Sequence, residues 1–298
     1  MISNRAAQLH IMREANLQRH PVDGPEDSAS LSDWLLSFGK SQGYAYLVSR
    51  FQQREGYITP PEETAMLYAI VQRLRPQWSL EIGTFFAHTT RIMAEVIVDA
   101  GIDGKIITLD PFGQERVPDI LRSWPEPLSA VTDFRSWNSM QYFLELETQG
   151  TAKGADSPLG VVFVDGHHNF EYTLYDTIRS ADHLAPGGAI ITDNLEQQGP
   201  KTAAIQFLRW NPAWSLFYEG HLFSADNIDQ STIGVNPDGR TLWGGVGRTG
   251  WNPNRPASNQ AHETQHILCS YPGACLQPAP CQSPRHLASH DGVLCGPF

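Results

Sequence analysis

Short apolar segments alternate with helical ones between residues 78 and 194, and this alternation restricts the fold more than any other feature of the chain. The segment 161–164 is apolar on both faces, as expected for a strand that helices cover on both sides. A strand-helix-strand rhythm of this kind predicts an α/β fold with a Rossmann-like, doubly wound, mostly parallel sheet. Its five strands are predicted at 78–82, 106–109, 130–134, 161–164 and 189–192.

The flanking segments divide the chain into three predicted parts. Residues 1–60 hold short helical stretches interrupted by glycine and proline, which predicts a helical N-terminal cap. Residues 61–249 form the predicted ligand-binding domain, and residues 250–298, rich in glycine and proline, form a predicted irregular or disordered tail. The binding domain ends in a predicted helix at 201–209 and in strands at 214–218, 232–235 and 242–246, which would give the sheet an antiparallel edge.

Charge and hydropathy patterning exclude several functional classes. The 298 residues contain 21 Lys and Arg against 32 Asp and Glu, a formal net charge of −11. A surface this acidic repels phosphate backbones and anionic lipid, so we expect neither nucleic acid nor a membrane as partner. The N-terminus shows no apolar signal region, and no apolar run is long enough to span a bilayer, so we expect a cytoplasmic protein.

All four cysteines lie in the last thirty residues, so the predicted sheet does not depend on disulfides. Their spacing lacks the C-x2-C pattern of a structural zinc site, and we favour unpaired thiols over zinc or disulfides. The residues concerned are Cys269, Cys275, Cys281 and Cys295, with His262, His266, His286 and His290 nearby.

Ligands of a doubly wound sheet bind beyond the carboxyl ends of its strands, where this chain places acidic residues. The loop after the first strand has a single glycine, Gly83, and lacks the G-x-G-x-x-G pattern that a dinucleotide pyrophosphate needs. Such a loop suits a nucleoside that carries a positive sulfonium and an amino-acid group. Glu81 would accept a hydrogen bond from the amine of that amino-acid group. Asp110, at the end of the second strand, is placed to accept both ribose hydroxyls.

The strand ends together carry the ordered motif Glu81-x-Gly83-x3-Ala87-x-Thr89, Asp110, Asp165-Gly166-x-His168-x-Phe170-x5-Asp176 and Leu184-x-Pro186-Gly187-Gly188-x3-Thr192-Asp193-Asn194. With this motif the chain resembles class I S-adenosylmethionine-dependent methyltransferases, in particular the cation-dependent small-molecule O-methyltransferases of the catechol, caffeoyl-CoA and antibiotic-sugar type. The resemblance covers residues 60–247 and implies that residues 61–249 bind S-adenosylmethionine. Two positions depart from the family pattern, because Ala87 replaces a second glycine and Phe170 stands where tyrosine is common.

Three hard oxygen donors follow two of the predicted strands. Asp165 follows the fourth strand, and Asp193 and Asn194 follow the fifth. Carboxylate and amide oxygens are ligands of Mg²⁺, Ca²⁺ or Mn²⁺, so we predict a divalent-cation site with Mg²⁺ as the favoured ion. The cation would bind a substrate hydroxyl and lower its pKa. The alternative is that both aspartates only cap helices.

Two histidines follow Asp165. The resemblance puts a catalytic lysine where this chain has His168, so we predict His168 and Asp165 as the catalytic residues, with His168 as the base. His167 is the rival base, although its position favours a contact with the cofactor. The predicted cofactor contacts are Glu81, Gly83, Thr84, Phe85, Thr89, Asp110, Ser136, Asn138, Asp165 and His167, and Phe86, Phe112 and Trp137 are candidate aromatic neighbours of the adenine or sulfonium.

These residues predict an S-adenosylmethionine-dependent O-methyltransferase that acts on a hydroxyl of a small molecule, such as a sugar, a phenol or another natural product. The cap would close over this acceptor, or its exposed apolar residues, among which we expect Trp34 and Tyr44, would form the interface of a homo-oligomer. Two rival functions stay open at this point. One is a nucleotide-binding oxidoreductase on the same fold, and the other is a non-catalytic binding protein that keeps the pocket.

Overall fold

The computed structural model describes residues 31–54, 59–150, 157–218, 221–229 and 244–248. The chain divides into two units, Met1–Ala257 and Ser258–Phe298, and every described residue lies in the first. Some predictions therefore lie outside the described residues. They are the start of the cap at 1–30, the strand at 232–235, and the tail with its cysteines and histidines.

Strands of the described residues form one eight-stranded sheet from β1 (Trp78–Ile82), β2 (Lys105–Leu109), β3 (Thr132–Arg135), β4 (Leu159–Val164), β5 (Leu184–Thr192), β6 (Trp214–Tyr218), β7 (His221–Phe223) and β8 (Gly244–Arg248). Their order is β3-β2-β1-β4-β5-β8-β6-β7. The first five strands in this order, β3-β2-β1-β4-β5, run parallel. Strand β8 pairs antiparallel with β5 and with β6, and β6 pairs antiparallel with β7. The predicted doubly wound, mostly parallel sheet with an antiparallel edge is confirmed.

Helices cover both faces of the sheet. Within the described residues they are α1 (Leu31–Phe38), α2 (Gln42–Gln52), α3 (Pro61–Leu74), α4 (His88–Asp99), α5 (Val117–Ser123), α6 (Glu126–Ala130), α7 (Ser139–Thr148), α8 (Phe170–His183) and α9 (Gln198–Trp210). On β4, Val161 and Phe163 pack with α1 to α4, and Val162 and Val164 pack with α7 to α9. This alternation explains why the strand is apolar on both sides. No described helix is long and apolar enough to cross a membrane.

The third strand begins two residues later than predicted. We expected a strand from Ala130, but residues Glu126–Ala130 form the short helix α6, and β3 starts at Thr132. A proline in the first turn of α6 explains the difference, because proline fits the first helical turn and its fixed φ favours the helix there.

The cap helices α1 and α2 pack on the same side as α3 and α4. Arg50 of α2 forms an ion pair of 3.1 Å with Asp99 of α4, and the Trp34 ring stacks on Phe38 with centroids 4.8 Å apart. Trp34 is only 1% exposed, which corrects the expectation that it is an exposed apolar residue of the cap. It therefore belongs to the core and cannot contribute to a subunit interface, whereas Tyr44 is partly exposed.

Asp176 of α8 should make the stability of the protein depend on pH. It is 3% exposed, and burial raises the pKa of Asp176 to about 7, although a hydrogen bond from Ser139 acts in the opposite direction. The pKa of this carboxyl is 3.8 in the unfolded chain, so the folded protein holds the proton more tightly than the unfolded chain does. The free energy of unfolding therefore falls as pH rises from 3.8 towards 7. We expect wild type to lose about 2–3 kcal/mol more than Asp176→Asn between pH 5 and pH 8, measured by urea unfolding. Equal losses in the two proteins would contradict this assignment.

Candidate active site

The loop after β1 is tightly wound, because three of its residues have positive φ. They are Gly83 at 103°, Phe85 at 45° and Ala87 at 58°. A Cβ on Gly83 would lie 1.9 Å from the carbonyl oxygen of Asp165, so only glycine lets this loop pass so close to the end of β4. Ala87 immediately precedes α4 in a left-handed conformation that favours glycine. The departure from the family pattern at Ala87 therefore leaves backbone strain next to the site.

Glu81 lies behind this loop and does not line the cavity described below. Its carboxylate accepts hydrogen bonds from the hydroxyls of Thr90 and Thr108, and Thr84 Oγ1 lies 2.6 Å from Thr108 Oγ1. Burial raises the pKa of Glu81 to about 8, although the two threonine hydrogen bonds lower it. Glu81 thus ties the loop to β2, and its enclosed carboxylate is not open to the amine that we predicted it would receive.

Asp110 joins the loops that follow β1 and β2. Its carboxylate accepts hydrogen bonds from the amides of Phe85 at 3.2 Å and Phe112 at 2.9 Å, and from the Arg116 guanidinium at 3.0 Å. Arg116 also donates to the Phe85 carbonyl and lies over the rings of Phe85 and Phe86. Asp110 is therefore at the predicted strand end, but ribose hydroxyls would have to share its oxygens with these donors.

Asn138 begins a helix. Its side chain accepts a hydrogen bond from the Gln141 amide at 2.9 Å, and the Gln141 side chain accepts one from the Asn138 amide at 3.0 Å. These reciprocal bonds form a capping box at the start of α7, and the Asn-x-x-Gln spacing was a readable signal for it. Neither Ser136 nor Asn138, both predicted as cofactor contacts, lines the cavity.

The three predicted cation ligands come together at the ends of β4 and β5. The backbone amide of Asp193 donates to the Val164 carbonyl at 3.0 Å, and the backbone amide of Asn194 donates to Asp193 Oδ1 at 2.8 Å. Asn194 has a φ of 54°, a left-handed conformation that asparagine tolerates better than most residues. Burial and then the charge of Asp165 raise the pKa of Asp193, and both carboxyls line the same cavity.

This donor set fits a hard divalent cation. Two carboxyl groups that repel each other and an amide oxygen supply the hard oxygen donors that such a cation accepts. Among the described residues, no three side chains of the types His, Cys, Asp and Glu converge on a metal position.

His168 and His167 have different surroundings. His168 Nε2 lies 3.3 Å from Asp165 Oδ1, and this hydrogen bond raises the pKa of His168 while burial lowers it. His167 is exposed, and its ring stacks on Tyr172 with centroids 4.9 Å apart. A Cβ on Gly199 would lie 2.0 Å from the His168 carbonyl oxygen, so this glycine lets α9 approach the histidine loop. Only His168 of the two histidines faces the cavity.

A cavity of about 270 Å³ joins the β1 loop to the ends of β4 and β5. Its volume is near the lower end of the range of about 300–1,000 Å³ for small-molecule sites. The predicted residues Gly83, Thr84, Phe85 and Thr89 line one part of it. The predicted cation ligands and His168 line another part. The full lining is Thr59, Pro60, Glu63, Gly83, Thr84, Phe85, Phe86, His88, Thr89, Asp165, His168, Asp193 and Asn194.

The sequence analysis missed Glu63 of α3, which also lines the cavity. Glu63 is 8% exposed, and neither of its carboxyl oxygens has a hydrogen-bond partner among the described residues. A signal was present in the sequence. Glu63, Leu67 and Ile70 follow the helical spacing of a buried face, and a carboxylate on such a face is unusual.

Comparison with known proteins finds similarity over part of the chain. Residues 80–195 match the family model described as a methyltransferase domain. No curated protein matches the chain. Among solved structures, an O-methyltransferase from Bacillus cereus in complex with SAH is 16% identical, with a TM-score of 0.47 over 80% of this chain and 97% of that one. The O-methyltransferase TomG from Streptomyces achromogenes, in complex with SAM, is 14% identical, with a TM-score of 0.47 over 84% of this chain and 100% of that one.

The family match spans the strand ends at which the predicted motif lies, from β1 to the residue after Asn194. It therefore agrees with the resemblance that the motif suggested. Over residues 80–195, the chain is therefore similar to a methyltransferase domain.

Proposed function

We propose that the protein transfers the methyl group of S-adenosylmethionine to a hydroxyl of a small molecule, assisted by a divalent cation, most simply Mg²⁺. The observation that carries this proposal is that Asp165, Asp193 and the β1 loop line the same cavity. A methyl donor held by that loop and an acceptor held at the ends of β4 and β5 would meet there.

The β1 loop and the start of α4 supply the donor side of the site. Gly83, Thr84 and Thr89 present short side chains and backbone to the cavity, and the rings of Phe85 and Phe86 pack with centroids 4.3 Å apart. Aromatic rings at this position suit a sulfonium, since cations are attracted to ring faces. Asp110 and Arg116 hold the loop in place from behind.

The acceptor side is built from Asp165, His168, Asp193 and Asn194. When bound, a divalent cation lowers the pKa of a hydroxyl that it contacts. Asp165, Asp193 and Asn194 would hold that cation. His168 takes the hydroxyl proton in this proposal, and Asp165, bonded to the imidazole at 3.3 Å, stabilises the imidazolium that results. The cap helices are then the elements that select the acceptor.

Calorimetric titration tests the donor assignment. We expect S-adenosylhomocysteine to bind the folded protein and NAD(P) not to bind, because the single glycine of the β1 loop does not suit a pyrophosphate. Binding of NAD(P) without S-adenosylhomocysteine would instead favour an oxidoreductase. Binding of S-adenosylhomocysteine without methylation of any member of a broad hydroxyl panel would favour a non-catalytic protein.

Removal of the cation tests the second half of the proposal. After treatment with EDTA, methylation of any accepted hydroxyl compound should fall by about 100-fold and return on addition of Mg²⁺, since the hydroxyl then loses the charge that stabilises its ionised form. The rate is followed by mass spectrometry of the methylated product. Unchanged methylation in EDTA would leave a methyltransferase that needs no cation.

A further inference from the structure

Glu63 is a carboxyl group in the cavity that the proposed reaction does not use. Its oxygens are buried and lack hydrogen-bond partners within the part of the chain that the structure describes, although the side chain lines the cavity. An unpaired buried carboxyl costs free energy in the unliganded protein, and a ligand that offers a matching donor recovers that cost. The arrangement therefore points to a ligand group that Glu63 receives.

The position of Glu63 assigns it to the acceptor side of the cavity. Its helix, α3, contacts β4 and β5. The pKa of Glu63 is raised to about 10. Burial is the largest cause, and the charges of Asp193 and Glu196, both in the segment after β5, come next. Glu63 thus shares the cavity with Asp165 and Asp193 at the ends of β4 and β5, where the acceptor would bind.

The character of the missing partner follows from charge. No lysine or arginine is among the described residues that line the cavity, whereas Glu63, Asp165 and Asp193 all are. Glu63 does not converge with the other two carboxyls on a metal position within the described residues. A protonated nitrogen on the acceptor would donate a hydrogen bond to Glu63 and favour the ionised form of its carboxyl, which no lysine or arginine of the described cavity lining does.

Building on the proposed function, we infer that the acceptor is a hydroxyl compound that carries a cationic amino group, and that Glu63 selects it by binding this group. The residue fixes specificity and takes no part in the chemistry. It would place the amine against α3 while the hydroxyl lies at the ends of β4 and β5. Neutral hydroxyl compounds of the same shape would leave the carboxyl unpaired and bind less well.

Matched pairs of probes test this inference. We would titrate dopamine against 4-ethylcatechol, and glucosamine against glucose, at pH 7 into protein saturated with S-adenosylhomocysteine and Mg²⁺. At least one amine should bind about tenfold or more tightly than its neutral partner, and Glu63→Gln should remove that preference. Glu62→Gln is the matched control, because Glu62 is exposed and adjacent in the chain, and it should keep the preference.

The same titrations separate the possible failures. Equal or better binding of the neutral partner in both pairs, or no binding of either amine, would overturn the inference. A loss of S-adenosylhomocysteine affinity in Glu63→Gln would assign the residue to the donor amine, and a loss of Mn²⁺ affinity would assign it to the cation. Either result would also overturn it. If wild type binds no S-adenosylhomocysteine at all, the proposed function itself fails.

Discussion

Replacing Gly83 with alanine should abolish binding of S-adenosylhomocysteine and lower the free energy of unfolding by about 2–4 kcal/mol. The new Cβ would lie 1.9 Å from the Asp165 carbonyl oxygen and 2.6 Å from its carbon, so the β1 loop and the end of β4 must separate. That separation moves the donor side of the cavity away from Asp165, which belongs to the acceptor side. Calorimetric titration and urea unfolding measure the two effects, and we expect affinity to fall by 100-fold or more.

Gly101→Ala separates this steric effect from backbone strain. Gly101 also has a positive φ, 57°, but no atom lies within 4 Å of the position of its Cβ. It follows α4 at the other end of the sheet from the strand carboxyl ends. Its substitution should cost about 1–2 kcal/mol of stability and leave the affinity for S-adenosylhomocysteine unchanged. If Gly83→Ala behaves like Gly101→Ala, the close approach of β1 and β4 does not shape the site.

The parallel sheet could be predicted because its signals are local. Buried strands such as β4 show continuous apolar runs, and glycine and proline mark their ends. The residues that follow such strands meet at one edge for topological reasons alone, so the convergence of Asp165 with Asp193 was predictable before any contact was known. The start of β3 was harder to predict from the sequence. A proline in the first turn of α6 favours a helix there, and the strand therefore begins two residues later than expected.

The finer assignments depended on contacts between residues distant in sequence. Whether Glu81 opens to the cavity or lies behind the loop is decided by Thr90 and Thr108, and nothing in the spacing of these residues predicts their hydrogen bonds. Trp34 was expected on the surface, but it packs into the core beside Phe38. Glu63 precedes the recognised motif, and only the packing of α3 against β4 and β5 brings it into the cavity.

Substitution of Asp193 by asparagine should lower activity while it stabilises the unliganded protein. Asp193 and Asp165 line one cavity at the ends of the neighbouring strands β4 and β5, and a buried, negatively charged pair there costs free energy unless a cation binds it. Asparagine keeps the shape and removes the repulsion, so stability without cation should rise by about 1 kcal/mol. Affinity for Mn²⁺ and the rate of methylation should each fall by about 100-fold, because a charged ligand is lost.

Asp103→Asn makes the same chemical change at an exposed residue ahead of β2, on the opposite edge of the sheet from the cavity. It should alter neither stability nor Mn²⁺ affinity. Thermal unfolding with and without Mn²⁺ distinguishes the two proposed roles of Asp193. If Asp193 is a ligand of the cation, Asp193→Asn should unfold at a higher temperature than wild type without Mn²⁺, and addition of Mn²⁺ should raise that temperature little. If Asp193 only caps a helix, Asp193→Asn should unfold at a lower temperature than wild type under both conditions, because the cap is weakened and no repulsion is relieved.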